Sequence, residues 1–136
     1  MTQALLDDDT FLSQFENLTL DPVHFSHLGH LRLAWLYLDS NDIDTASEQA
    51  CHGIQRYAAS LGAHDKFHMT ITDSLVRIIG YRINANNIQT WESFQETNTD
   101  IISDALGVLN QYYSNERLFS DEAKVSLVSP DKKPIS

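Results

Sequence analysis

The chain has 136 residues and a mass of 15.4 kDa, which suits a single domain able to bury a substantial core. Hydrophobic residues make up 42% of it and charged residues 21%, and this composition excludes disordered, collagen-like and disulfide-framework proteins. Nine Lys and Arg against 19 Asp and Glu give a formal net charge of −10, so nucleic acid and membrane surfaces are poor partners.

The sequence predicts a cytoplasmic protein. Its single cysteine, Cys51, excludes an intrachain disulfide and fits a reducing compartment. The first ten residues contain the acidic run 7–9 and no basic region, which argues against a cleaved secretory signal. No apolar stretch approaches the ~20 residues that a membrane-spanning helix needs.

Apolar residues recur at helical spacing along almost the whole chain, and the three prolines lie only at positions 22, 130 and 134. The predicted helices, in chain order, cover residues 9–18, 22–38, 42–61, 65–83 and 91–114, with a short turn near 121–125. Asp21 is predicted to cap the second helix, with Pro22 at its first position. The polar segment from about residue 129 predicts a loose or extended tail.

The second predicted helix differs from the others because it has no polar face. Between residues 28 and 38 its only charged side chain is Arg32, and apolar residues occur on every side. A helix that is apolar all round belongs in the middle of a bundle. We therefore expect an all-α fold in which residues 1–136 form one domain. It should be a compact bundle of about five helices around a buried central helix at about residues 22–38.

Histidines are the strongest candidates for chemistry. Three of the six, His24, His27 and His30, follow one another at i, i+3 spacing, which places neighbours about 5–6 Å apart on a helix. His68 falls on the apolar stripe of the fourth predicted helix. If the starts of the two helices are adjacent, His27, His30 and His68 converge and could bind a divalent metal such as Zn, Fe or Ni. His24 is predicted to be a surface or capping residue.

A structural role is the alternative for the same side chains. Buried imidazoles commonly bond to a backbone carbonyl or a nearby hydroxyl, and His68 could pair with Thr72 in this way. Neither an HExxH motif nor a paired-cysteine zinc pattern is present, and HxxH alone is a weak signal. Arg32, among apolar residues, needs a carboxylate or a bound anion as its partner.

Two segments resemble the signatures of an uncharacterised family of small bacterial all-helical proteins. Residues 25–35, F-S-H-L-G-H-L-R-L-A-W, are similar to its F-x-H-x-x-H-L-R-x-A-W motif, and residues 66–72, K-F-H-M-T-I-T, to its K-[FY]-H-x-T-[IL]-T motif. Residues 113–123 resemble its closing segment. The resemblance implies no activity. The motif positions that it matches here are His27, His30, Arg32, His68, Thr70 and Thr72.

The chain departs from that family's pattern at Met69, where many relatives carry Glu. A ligand or proton acceptor supplied by such an acid is therefore missing at this position. The resemblance places Arg32, Thr70 and Thr72 with the histidines, as residues that could bind a cofactor or orient an imidazole or bound water.

Two functions remain open at this point, and whether the protein is an enzyme is undecided. The first is a histidine-lined pocket that binds a divalent metal and acts on a small molecule, with His68 as a ligand or as a general base near neutral pH. The second is a non-enzymatic protein-interaction or regulatory module whose histidines are structural. Its acidic surface would suit a basic partner.

Overall fold

A computed structural model describes residues 6–135, and 70% of this range is helical, without strands. This confirms the all-α prediction. Nine α-helices occur in the described range: α1 (Asp8–Glu16), α2 (His27–Ser40), α3 (Ile43–Ser60), α4 (Met69–Asn86), α5 (Trp91–Thr97), α6 (Thr99–Ser103), α7 (Ala105–Leu109), α8 (Asn115–Leu118) and α9 (Asp121–Val125). The ends of the predicted domain, residues 1–5 and 136, lie outside the described residues.

The four longer helices surround a shared core, with α2 in contact with α1, α3 and α4. The short helices close the bundle, since α6 packs on α2 and both α7 and α9 pack on α4. Buried side chains come from every part of this arrangement, and the largest apolar ones that are fully buried are Phe11, Phe15, Leu31, Leu33, Ile78, Ile79, Phe94, Ile101, Leu109, Tyr113 and Leu118. The predicted bundle around a buried α2 is therefore present.

Within residues 6–135, no helix combines the length and the hydropathy that crossing a bilayer requires.

The start of α2 differs from the prediction. Asp21 and Pro22 do begin a helical turn, but it is a single 3-10 turn at Pro22–His24. The α-helix starts at His27, because Ser26 is in extended conformation and its hydroxyl accepts a hydrogen bond from the Gly29 amide at 3.3 Å. The cap of the α-helix is thus five residues downstream of the predicted one.

The start of α4 also lies later than predicted. Residues 64–66 form a separate 3-10 turn, Phe67 is extended, and α4 begins at Met69 with His68 as its N-cap residue. His68 therefore precedes the helix rather than lying within its apolar stripe. The half-buried side chain folds back over the first turn of α4, where its Nδ1 accepts a hydrogen bond from the Ile71 amide.

The apolar segment 91–114 is broken into three short helices instead of one. Asn98 is buried, and its side-chain amide donates to the Phe94 carbonyl at 3.0 Å, which ends α5. Asp104 then caps α7 by accepting a hydrogen bond from Gly107 at 3.0 Å. Side chains of Asn and Asp compete with the helical backbone for hydrogen bonds, and here they end one helix and begin another. The spacing of apolar residues does not register such breaks, so the sequence predicted one continuous helix.

The tail after α9 has no regular structure but is tied to the body of the protein. Asp131 accepts hydrogen bonds from the Ser114 amide at 2.8 Å and from its hydroxyl at 2.6 Å. The Arg117 guanidinium donates to the Ser129 carbonyl at 3.0 Å, and the Lys132 amide donates to the Tyr112 carbonyl at 2.9 Å. These bonds hold the segment along the surface of α8 and the end of α7.

Candidate functional site

A cavity of about 430 Å³ lies between α2, α3 and α4. Its polar residues come from the beginning of α2, from the segment just before α4 and from the first turn of α4, and these are His27, His30, Lys66, His68 and Thr72. Its apolar residues come from the later turns of α2, from α3, from Phe67 and from α4, and these are Leu31, Ala34, Ala50, Ile54, Phe67, Ile71, Leu75, Val76 and Ile79. The cavity is therefore polar at one end and apolar along the rest. Its volume lies within the range of small-molecule sites, near the lower end.

His27 is the first residue of α2 and links that helix to α6. Its Nε2–H donates to the Ile101 carbonyl at 3.0 Å, since a carbonyl can only accept. In the neutral form of the ring, this bond places the proton on Nε2 and the lone pair on Nδ1. The ring thus serves a structural purpose on one edge and keeps an acceptor on the other.

His30, like His27, is exposed, and it lines the cavity one turn further along α2. Its Nδ1–H donates to the Ser26 carbonyl at 2.8 Å, and its ring stacks on Phe25 with centroids 3.9 Å apart. The imidazole remains accessible through the cavity although protein surrounds it, and this loss of hydration is the main cause of its lowered pKa. The nearby His27 lowers the pKa further, while the bond to Ser26 raises it. Near neutral pH, His30 presents an unprotonated Nε2.

Both ring nitrogens of His68 are engaged by backbone groups. Nδ1 accepts a hydrogen bond from the Ile71 amide at 3.1 Å, which caps α4, and Nε2–H donates to the Leu118 carbonyl at 2.9 Å. Burial is the largest cause of the lowered pKa of His68, and Lys124 contributes in the same direction. In this conformation the ring has no lone pair left for a metal ion or for a proton taken from substrate.

The metal hypothesis gains no support from this geometry. His27, His30 and His68 line the same cavity, but among residues 6–135 no three His, Cys, Asp or Glu side chains are placed to hold a metal ion. A metal on His68 would require the loss of either the α4 cap or the Leu118 bond. Binding of Zn, Fe or Ni therefore stays a prediction, and elemental analysis of the purified protein tests it.

Of the other predicted site residues, Thr72 lines the cavity, whereas Thr70 and Arg32 do not. Thr70 is buried, and its hydroxyl donates to the Ser126 carbonyl at 2.8 Å. Arg32 lies on a different face of α2 and pairs with Asp8 at 2.8 Å, above the ring of Phe11. Arg32 is thus satisfied by an acid of the chain, as one of the two alternatives proposed.

Sequence reasoning missed the contribution of α3 and the partners of the histidines. Ala50 and Ile54 belong to an amphipathic helix stripe, and that pattern identifies core residues without showing which of them face a cavity. The acceptor carbonyls at Ile101 and Leu118 lie 74 and 50 residues from their histidines, so no local signal marks them. Cys51 lines a separate groove, and burial raises the pKa of its thiol to about 12.

The lowered pKa values of His30 and His68 predict an acid-sensitive fold. Because both rings are held neutral in the native state, the unfolded chain binds more protons once the pH falls below the unperturbed value of 6.5. The free energy of unfolding should therefore be highest above pH 6.5. It should decline as the pH falls from 6.5 toward the lowered pKa values of His30 and His68 in the folded protein. Urea unfolding at about pH 7.5 and about pH 5.5 measures the decline. The His68→Asn variant should show a smaller one, and an equal decline would contradict the assignment to His68.

Comparison with protein-family models finds no match, and comparisons with curated proteins and with solved structures find none either. The resemblance to small bacterial helical proteins therefore remains a prediction.

Proposed function

We propose that the protein binds a small, mainly apolar molecule in the cavity between α2, α3 and α4. The observation that carries this proposal is the division of the lining: imidazoles at one end and aliphatic side chains along the remainder. Small-molecule sites typically have this character, with a few placed polar groups that orient an otherwise apolar ligand.

The polar end favours a ligand that donates a hydrogen bond. Nε2 of His30 is an acceptor while the ring is neutral, and the bond from Nδ1 to Ser26 fixes the ring's orientation. His27 adds a second acceptor at Nδ1, and Lys66 adds a positive charge at the rim. A hydroxyl group on an aromatic or aliphatic body meets these requirements, and partial ionisation of a phenol is further favoured by Lys66.

The experiment uses 1-naphthol as the probe. The protein should bind it saturably, with a rise in melting temperature that grows with probe concentration. Ala50→Leu fills the apolar part of the cavity and should weaken binding by about tenfold or more. Ala59→Leu, on the exposed side of the same helix, is the matched control and should bind 1-naphthol as the wild type does.

A second variant tests the polar end. His30→Phe should reduce the preference for 1-naphthol over naphthalene, because the hydroxyl loses its acceptor. Equal binding by Ala50→Leu and Ala59→Leu would contradict the proposal. So would the lack of any melting-temperature shift with 1-naphthol in the wild type.

A further inference from the structure

A second and larger opening lies on a different face of α2. It has a volume of about 720 Å³ and is bounded by α2, by residues 89–95 at the start of α5, and by Leu6 and Asp8 near the beginning of the chain. We call it the α2–α5 groove. None of its lining residues belongs to the cavity between α2, α3 and α4, which we call the histidine cavity, so the two sites are separate.

The α2–α5 groove is elongated. Five residues of α2 line it, and Leu28, Arg32, Trp35 and Asp39 among them lie at successive turns, with Gly29 beside Leu28. They span about 16 Å along the helix axis at 1.5 Å per residue. A smaller pocket of about 250 Å³ shares Trp35 and Asp39 and continues the groove toward Ile83 and Ile88. A groove of this length suits a peptide segment better than a compact small molecule.

The groove carries an excess of negative charge. Asp8, Asp39 and Glu92 line it, against the single guanidinium of Arg32. Arg32 is already engaged, since it donates to Asp8 at 2.8 Å and to the Leu6 carbonyl at 2.6 Å. Asp39 and Glu92 are exposed, and neither makes a hydrogen bond or ion pair with other described residues. Their charges are therefore open to a cationic partner.

Apolar and aromatic side chains lie between these charges. Val23 and Leu28 are 57% and 40% exposed at one end of the groove. Trp91, which is half-buried, and the edge of Trp35, which is only 8% exposed, also line it, with ring centroids 6.2 Å apart. Indole rings attract the cationic groups of Lys and Arg as well as aliphatic side chains. The groove thus offers apolar contacts and negative charge within one surface.

We propose that the α2–α5 groove binds a basic amphipathic peptide segment of another protein. Its Lys or Arg side chains pair with Asp39 and Glu92, and its apolar side chains pack on Leu28 and the tryptophans. The charge complementarity and the length of the groove select this occupant.

Trp35 and Trp91 are the only tryptophans in the chain, and both line the groove, so their fluorescence reports on its occupancy. The probe is a short synthetic peptide of leucine and lysine with no aromatic residue. Its titration should change the tryptophan emission saturably. A lysine-only peptide of equal length and spermine should bind at least about tenfold more weakly, because they lack the apolar contacts.

Two pairs of variants separate the groove from the general acidity of the protein. Asp39→Asn combined with Glu92→Gln should weaken binding about tenfold. Glu48→Gln combined with Asp65→Asn changes the net charge equally outside the groove and should alter binding by less than about twofold. Leu28→Ser should also weaken binding, whereas Leu106→Ser, at a residue of similar exposure elsewhere, should not.

The proposal is overturned if tryptophan emission does not change saturably, or if spermine or the lysine-only peptide binds as tightly as the amphipathic one. It is also overturned if the two charge-neutralised pairs weaken binding equally, because attraction to the whole acidic surface would then explain the result.

Discussion

Replacing Thr70 with valine is expected to lower the free energy of unfolding by about 2–3 kcal/mol. The Thr70 hydroxyl is fully buried, donates to the Ser126 carbonyl at 2.8 Å and accepts from the Val128 amide at 3.2 Å. Valine has nearly the same shape but leaves both backbone groups without this partner. Urea unfolding at neutral pH measures the change, and the lost bonds should also increase hydrogen exchange at Val128.

Thr72→Val is the matched control for this experiment. Thr72 lies on the same helix two residues later, is half-buried and lines the histidine cavity. Its hydroxyl makes no hydrogen bond with other described residues, so its loss should change stability by less than about 0.5 kcal/mol. Equal effects of the two substitutions would show that the bonds to the tail contribute little.

His68→Ala should destabilise the fold by a similar amount, about 2–3 kcal/mol. The substitution removes the N-cap bond to the Ile71 amide and the bond to the Leu118 carbonyl, which connects α4 with α8. It also removes part of the cavity wall. The expected loss is structural, so it should be the same with and without added Zn²⁺ and should be visible in thermal and urea unfolding alike.

His68→Asn distinguishes the two bonds. Asparagine is a good N-cap residue and should restore the bond to Ile71, but its shorter side chain cannot reach the Leu118 carbonyl as well. It should therefore recover about 1 kcal/mol of the loss. A His68→Ala variant as stable as the wild type would contradict the structural role, and a Zn²⁺-dependent difference between wild type and variant would revive the metal hypothesis.

Local patterns predicted the fold better than they predicted the site. The apolar run of α2 and the amphipathic stripe of α3 have helical periodicity that any buried helix must show, so the bundle followed from them. The first residue of each helix was harder to predict, because it depends on which of several nearby polar residues caps the N-terminus of that helix. The prediction used Asp21 as the cap of the second helix, whereas Ser26 and His68 cap α2 and α4 in the structure.

The site depended on contacts between distant parts of the chain. His27, His30 and His68 line one cavity because the starts of α2 and α4 are adjacent. The carbonyls that accept from His27 and His68, those of Ile101 and Leu118, come from the short helices. Thr70 and Thr72 look equivalent in the sequence. Because they are two positions apart on α4, they lie on different faces of the helix: Thr70 faces the tail and Thr72 faces the cavity. Only the packing of α9 and the tail on α4 separates their roles.

The bond between Thr70 and Val128 also sets an order of events during synthesis. It joins residues 58 positions apart, and the bond from His68 to Leu118 joins residues 50 positions apart. While a ribosome is still adding residues 70–117, the first turn of α4 has neither partner, so the histidine cavity cannot reach its final form. A nascent chain stalled before residue 118 should therefore leave the start of α4 accessible to protease, and protection should appear once residue 128 has left the exit tunnel.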